Sequence, residues 1–198
     1  MDMPRDTLDP LSDDALLVLY ANGDRDAARS LTDRLAPRVL AYAYRVLGDR
    51  AEAEDIAQEA MLRLWRFAPE WRPGEAQVTT WLYRVATNLA TDRLRQRQRR
   101  RADPIDGAPE PADDRPGAVQ GMIEADRMAA LDAALAQLPE RQRQAVVLRH
   151  IEGLSNPEIA EILSVGVEAV ESLTARGKRA LAALLAGRRE ELGYGEGD

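Results

Sequence analysis

Apolar residues recur at three- and four-residue intervals along almost the whole chain, and no run alternates with period two. The pattern predicts an all-α protein. Ser12, followed by Asp13 and Asp14, reads as an N-cap with carboxylates in the first turn of a helix reaching about Ala21. Asn22-Gly23 ends it. A second helical stretch starts near Asp24 and is expected to be interrupted at Pro37, whose nitrogen cannot donate a hydrogen bond. It resumes through "RVLAYAYRVL" and stops at Gly48. "DRAEAEDIAQEAMLRLWRF" predicts a further helix, with Ile56, Met61, Leu62, Leu64 and Trp65 as its apolar contacts. The loop "APEWRPGEAQ" follows, and then the helical segment "TWLYRVATNLATDRLRQRQRRR", residues 80–101.

The pattern then stops. "ADPIDGAPEPADDRPGAV", residues 102–119, holds four prolines, two glycines, five acids and one arginine. Its proline spacing forbids a helix and its apolar content is too low for independent folding, so it reads as a flexible acidic linker. Four more helices are expected, over about 122–136, 140–152, 156–163 and 167–186. The expected organisation is two small helical domains, 1–101 and 120–188, joined by the linker 102–119 and followed by a disordered tail, 189–198.

Composition removes several function classes. The chain has no cysteine and a single histidine, His150, among 198 residues. Disulfide frameworks, thiol catalysis, thiolate zinc sites and His-paired acid/base systems are therefore excluded. No nucleophile–base spacing or nucleotide-binding glycine motif is present, so neither an enzyme nor a cofactor is expected. The N-terminus lacks a secretory pattern and no apolar run is long enough for a bilayer, which suits a cytoplasmic chain without membrane insertion.

Charge adds the main anomaly. The net charge is −7, yet Arg84 through Arg101 carries seven arginines against Asp92, a local +6 that leaves −13 elsewhere. On a helical wheel Leu82, Val85, Ala86 and Leu89 fall on one side. Arg84, Thr87, Asn88, Thr91, Arg95 and Gln98 fall on the other, with Trp81 at the border and Arg93 toward the apolar side. Cations, hydrogen-bonding side chains and a flat aromatic on one face can hold phosphates and meet unpaired bases.

"LSNPEIAEILSVGVEAVESLTARGKRAL", residues 154–181, reads as a helix-turn-helix. Ser155 and Glu158 form a capping box with Pro157 in the first turn, and Ala160 is small enough for a close helix crossing. Ile159, Ile162, Leu163, Val165 and Val170 supply the core. The second helix would enter a major groove N-terminus first, with Arg176, Lys178 and Arg179 available to phosphate further along.

In this order, these segments closely resemble the extracytoplasmic-function (ECF) group of RNA polymerase sigma factors in the sigma-70 family. The resemblance spans roughly Asp24 to Leu185 and implies a region 2-like domain and a region 4-like helix-turn-helix domain. It implies that Glu52, Asp55, Gln58 and Glu59 bind core RNA polymerase at the β′ clamp helices, with the β flap as a second contact. Trp81, Arg84, Asn88, Thr91 and Arg95 would recognise and open the −10 element. Arg149, Ser172, Arg176, Lys178 and Arg179 would serve the −35 element. Promoter DNA, core polymerase and an anti-sigma factor are the implied partners. The runner-up is a stand-alone helix-turn-helix regulator on duplex operator DNA.

Three departures from the family pattern involve five positions. Ser164 stands where glycine is common in the turn; it costs on the order of 1 kcal/mol unless Gly166 absorbs the strain. Glu168 and Glu171 stand where neutral or basic residues are common, and Leu173 where arginine is frequent. Gly177 lies inside the recognition helix, at a cost of about 1 kcal/mol relative to alanine.

Overall fold

The computed structural model describes residues 11–102 and 119–186. The expected linker, the N-terminal ten residues and the tail lie largely outside these. Among the described residues there is no strand beyond an isolated bridge between Pro73 and Ala76.

The first half is four helices. In α1, Asp13–Ala21, the Ser12 side chain accepts from the Ala15 N–H at 3.2 Å. Asp24 caps α2, Arg25–Leu47, accepting from the N–H groups of Asp26 and Ala27. Pro37 does not interrupt α2, contrary to the sequence expectation. Pro37 is exposed, on the solvent side of α2, where its ring meets no packed neighbour helix. The opposite side buries Leu31, Leu35, Val39, Tyr42 and Val46. At about 1.5–3 kcal/mol per buried large side chain, that stripe outweighs the proline penalty of roughly 3 kcal/mol. Gly48 closes α2 at φ 67°, donating to the Tyr44 carbonyl at 2.7 Å.

Asp49 then caps α3, Arg50–Phe67, whose core face is Ala53, Ile56, Ala57, Ala60, Met61 and Leu64. Leu62 was expected among these contacts but is 47% exposed. A short 3-10 turn, Ala68–Glu70, leads to α4, Val78–Ala102, the arginine-rich helix.

The second half comprises α5, Val119–Ala136, then α6, Glu140–Val146, continuing as a π turn over Val147–Ile151. The helices α7, Asn156–Leu163, and α8, Val167–Ala186, form the helix-turn-helix. The Ser155–Glu158 capping box is fully made, and Ile159, Ile162, Leu163 and Val170 are buried. Ser164 itself takes the left-handed turn conformation, at φ 53°. Gly166 is not among the positive-φ residues, so it does not relieve Ser164. Gly177 has a packing reason: a Cβ there would lie 2.5 Å from Val146 Cγ2 and 3.2 Å from the Gln142 carbonyl oxygen.

The hydrophobic core continues from the first half into the second. Helix α4 packs on α2 and α3 on one side and on α7 on another, while α2 also meets α5, α6 and the π turn. That double packing fixes what α4 leaves outside.

Candidate nucleic-acid and polymerase interface

The sequence wheel assigned α4 one buried side, but α4 is covered on two. Thr87, expected on the exposed side, is buried at 3% exposure, and its hydroxyl pairs with Tyr42 Oη at 2.6 Å. Tyr42 meets Tyr83 edge-on with ring centroids 5.3 Å apart. Burial holds the Tyr42 phenol above its usual range, so it stays protonated and able to donate.

The remaining outer face of α4 carries Trp81, Arg84, Asn88 and Arg95. Trp81 is half-buried, with one ring face stacked parallel on Phe67 at 5.2 Å. Phe67 in turn meets Trp71 edge-on, and Trp71 Nε1 donates to Asp14 at 3.1 Å. This aromatic chain fixes Trp81 at the start of the face. Arg84 and Asn88 are exposed one and two turns on, and Arg95 is exposed beside Asp92 at 3.8 Å. Thr91 is less free: it donates to Glu140 at 2.9 Å and accepts from Gln144 at 3.0 Å, both on α6.

The arginines divide into two groups. Arg97 donates to the Leu47 carbonyl at 2.9 Å and pairs with Glu52 at 2.7 Å and Asp49 at 3.2 Å. Arg93 lies 3.9 Å from both Glu52 and Asp55. These two tie α4 to the start of α3, while Arg84, Arg95, Arg99 and Arg100 face solvent. Their ionic partners on α3 were not legible from α4 alone.

On α3, Asp55 and Gln58 are exposed, and Glu59 is half-exposed in an ion pair with Arg63 at 2.8 Å. With Leu62 they form a stripe at helical spacing, an apolar side chain flanked by polar groups. Glu52 sits one turn earlier but turns inward to Arg97. Sequence reasoning missed Leu62 as a surface residue. A leucine on an amphipathic helix ordinarily faces the core.

On the second half, Ser172, Arg176, Lys178 and Arg179 are exposed along α8. Arg149, also exposed, donates to the Leu154 carbonyl at 2.8 Å. Burial, followed by nearby Lys178 and Arg149, lowers the His150 pKa, which keeps its imidazole neutral within this cationic group. Leu173 is half-buried against the core, which accounts for an apolar residue there.

The two halves meet through polar groups. Tyr83 donates to the Glu152 carboxylate, whose side chain is only 6% exposed. Arg38 lies 3.5 Å from that carboxylate and 5.9 Å from the Tyr83 ring centroid. Burial first, and Glu152 second, raise the Tyr83 pKa and keep it a donor. Arg143 donates to Val46 and Ala136 carbonyls at 2.6 Å each, and Arg45 stands 3.7 Å from Asp132. Burial pushes the Asp132 carboxyl up, with Arg45 offsetting it.

An aromatic–arginine–asparagine helix face, followed by a helix-turn-helix whose second helix exposes Arg176, Lys178 and Arg179, defines an all-α protein with two solvent-facing cationic helix surfaces. The comparisons give its family. Sigma-70 region 2 matches residues 31–100, and Sigma-70 region 4 matches residues 128–181. The ECF RNA polymerase sigma factor SigE of Mycolicibacterium smegmatis is 39% identical, over 88% of this chain and 68% of that protein. SigW of Bacillus subtilis is 34% identical over 80% of this chain and 89% of its own length. The chain belongs to the ECF sigma factors of the sigma-70 family. Among solved structures, CnrH in complex with the cytosolic domain of CnrY matches with TM-score 0.64 and 26% identity, covering 88% of this chain and 97% of that one. RpoE of Bartonella quintana, solved with the anti-sigma factor NepR, shares the fold at TM-score 0.63 and 23% identity over 80% of this chain and 96% of that one.

Proposed function

We propose that this chain is an alternative sigma factor that binds core RNA polymerase and directs it to promoters with −35 and −10 elements. The α3 stripe of Asp55, Gln58, Glu59 and Leu62 docks on the β′ clamp helices, with Glu52 supporting it from behind through Arg97. Arg84, Asn88 and Trp81 meet the separated −10 strand, and Arg95 holds its phosphates. Helix α8, with Arg149 beside it, takes the −35 duplex while the second half contacts the β flap. Promoter opening draws on binding energy alone, with no covalent chemistry and no cofactor. This activity belongs to the cytoplasm, where RNA polymerase works. Among the described residues no helix is long and apolar enough to cross a membrane.

The observation that carries this reading is the exposed pair Arg84 and Asn88 on the outer face of α4, in a chain of this family. Arg84 and Asn88 make no hydrogen bond or ion pair among the described residues, although their helix is otherwise packed and paired on two sides. Thr91 stands apart, because α6 occupies its hydroxyl. It reaches DNA only after the two halves separate. An anti-sigma factor, the type of partner seen with RpoE, would hold the chain away from polymerase.

The test is transcription in vitro with core polymerase on a promoter library. Specific initiation is expected only when the protein is added. Asn88→Ala should lose initiation on duplex promoters, keep core binding, and recover on templates already melted at −10. Sequence-specific sub-micromolar binding to duplex by the protein alone, with no effect on transcription, would instead establish the stand-alone regulator.

A further inference from the structure

Helix α8 divides its exposed surface by charge along its length. Val170 and Gly177 face the core, so Glu168, Ser172, Ala175 and Arg179 lie on the far side, with Glu171 flanking them. The first two turns present Val167, Glu168, Glu171 and Ser172 to solvent, and the exposed cations Arg176, Lys178 and Arg179 come only afterwards. Among the described residues neither Glu168 nor Glu171 has a hydrogen-bond or ion-pair partner.

Two unpaired carboxylates at this end oppose a polyanion unless they find donors on it. A recognition helix presents its N-terminal residues to base edges, and its later residues can reach the backbone. The base-edge donors in the major groove are cytosine N4 and adenine N6. Adenine sets the acceptor N7 beside its N6, which repels an acceptor-only carboxylate; cytosine has no such neighbour on its own ring. Small side chains at Ser172 and Ala175 let the helix approach closely.

We infer that Glu168 and Glu171 read cytosine in the −35 element. Arg176, Lys178 and Arg179 hold the adjoining phosphates, which offsets the repulsion the carboxylates bring. Val167, 41% exposed, is placed to meet a thymine methyl. The inference rests on α8 being the −35 helix and names the base chemistry it selects. Glu168 also favours the positive end of the helix dipole, but that role confers no base preference.

The experiment uses holoenzyme assembled with the full chain and a promoter library randomised across the −35 element, read by sequencing the transcripts. The wild-type protein should favour cytosine at one or two positions by about 5- to 150-fold. Glutamine both donates and accepts, which matches adenine N6 and N7, so Glu168→Gln and Glu171→Gln should each move one position from cytosine toward adenine. Thermal melting of both variants verifies that the fold is kept. Transcription with no cytosine preference, or with the same preference in all three proteins, would overturn the inference while leaving the sigma assignment intact. No promoter-directed transcription from any template would overturn both.

Discussion

Ser164 and Gly177 show how residue-scale departures from a pattern can have opposite meanings. Ser164 holds φ 53° with no neighbour relieving it, a conformation that costs an L-residue roughly 1–2 kcal/mol and glycine almost nothing. Ser164→Gly is therefore expected to raise stability by about 0.5–1 kcal/mol, the greater freedom of glycine when unfolded taking back part of the gain. Gly177 looked equally unfavourable in the sequence, as a glycine inside a helix. Its missing Cβ is what lets α8 approach Val146 and the Gln142 carbonyl. Gly177→Ala should lower stability by about 1–3 kcal/mol despite alanine's better helix propensity, because a packed neighbour must move. Chemical denaturation of the two variants checks both signs, and a stabilised Gly177→Ala protein would refute the close crossing. The turn residue was readable from the chain because φ preference is local. The helix contact was not, since Val146 lies a helix away.

At the scale of elements, caps and helix ends were legible, and the side of α4 was not. Ser12, Asp24, Gly48 and the Ser155–Glu158 box all act within a few residues of themselves. A helical wheel assumes one buried side, whereas α4 lies between α2/α3 and α7. Thr87 was misplaced for that reason, and Arg97 acquired partners no local pattern could reveal. The split among the arginines has a measurable consequence. Arg95→Ala should leave the melting temperature nearly unchanged, weaken promoter DNA affinity regardless of sequence, and make the salt slope shallower by about one unit. Arg97→Ala removes contacts to Leu47, Asp49 and Glu52 and should destabilise the fold by about 1–2 kcal/mol, a range reduced for partial exposure to solvent. Equal loss of stability in the two variants would mean that Arg97 is not the tie between α3 and α4.

At the scale of the whole molecule, the contacts between the halves join residues far apart in sequence, Tyr83 with Glu152 and Thr91 with Gln144. Each side chain taken singly reads as ordinary surface polarity, which is why the chain divided cleanly on paper while its core runs across both halves. The packed arrangement cannot serve both promoter elements together. Their centres lie about 25 base pairs apart, roughly 85 Å at ~3.4 Å per pair. A packed chain of this length has a radius of gyration near 16 Å, or about 40 Å across. On the proposed reading the halves would have to part, and the buried Glu152 carboxylate is the contact whose loss should tell most. Glu152→Ala leaves the Tyr83 hydroxyl unpaired in the packed state, whereas in the separated state water satisfies it. That difference is worth about 1–3 kcal/mol, which shifts the balance toward separation by roughly 5- to 150-fold. Glu152→Gln keeps an acceptor for Tyr83 and should shift it less. Small-angle scattering of the free protein should show the radius of gyration rising in the order wild type, Glu152→Gln, Glu152→Ala, with helix content by circular dichroism unchanged. An unaltered radius in a folded Glu152→Ala protein would remove Glu152 from the set of contacts that hold the halves together.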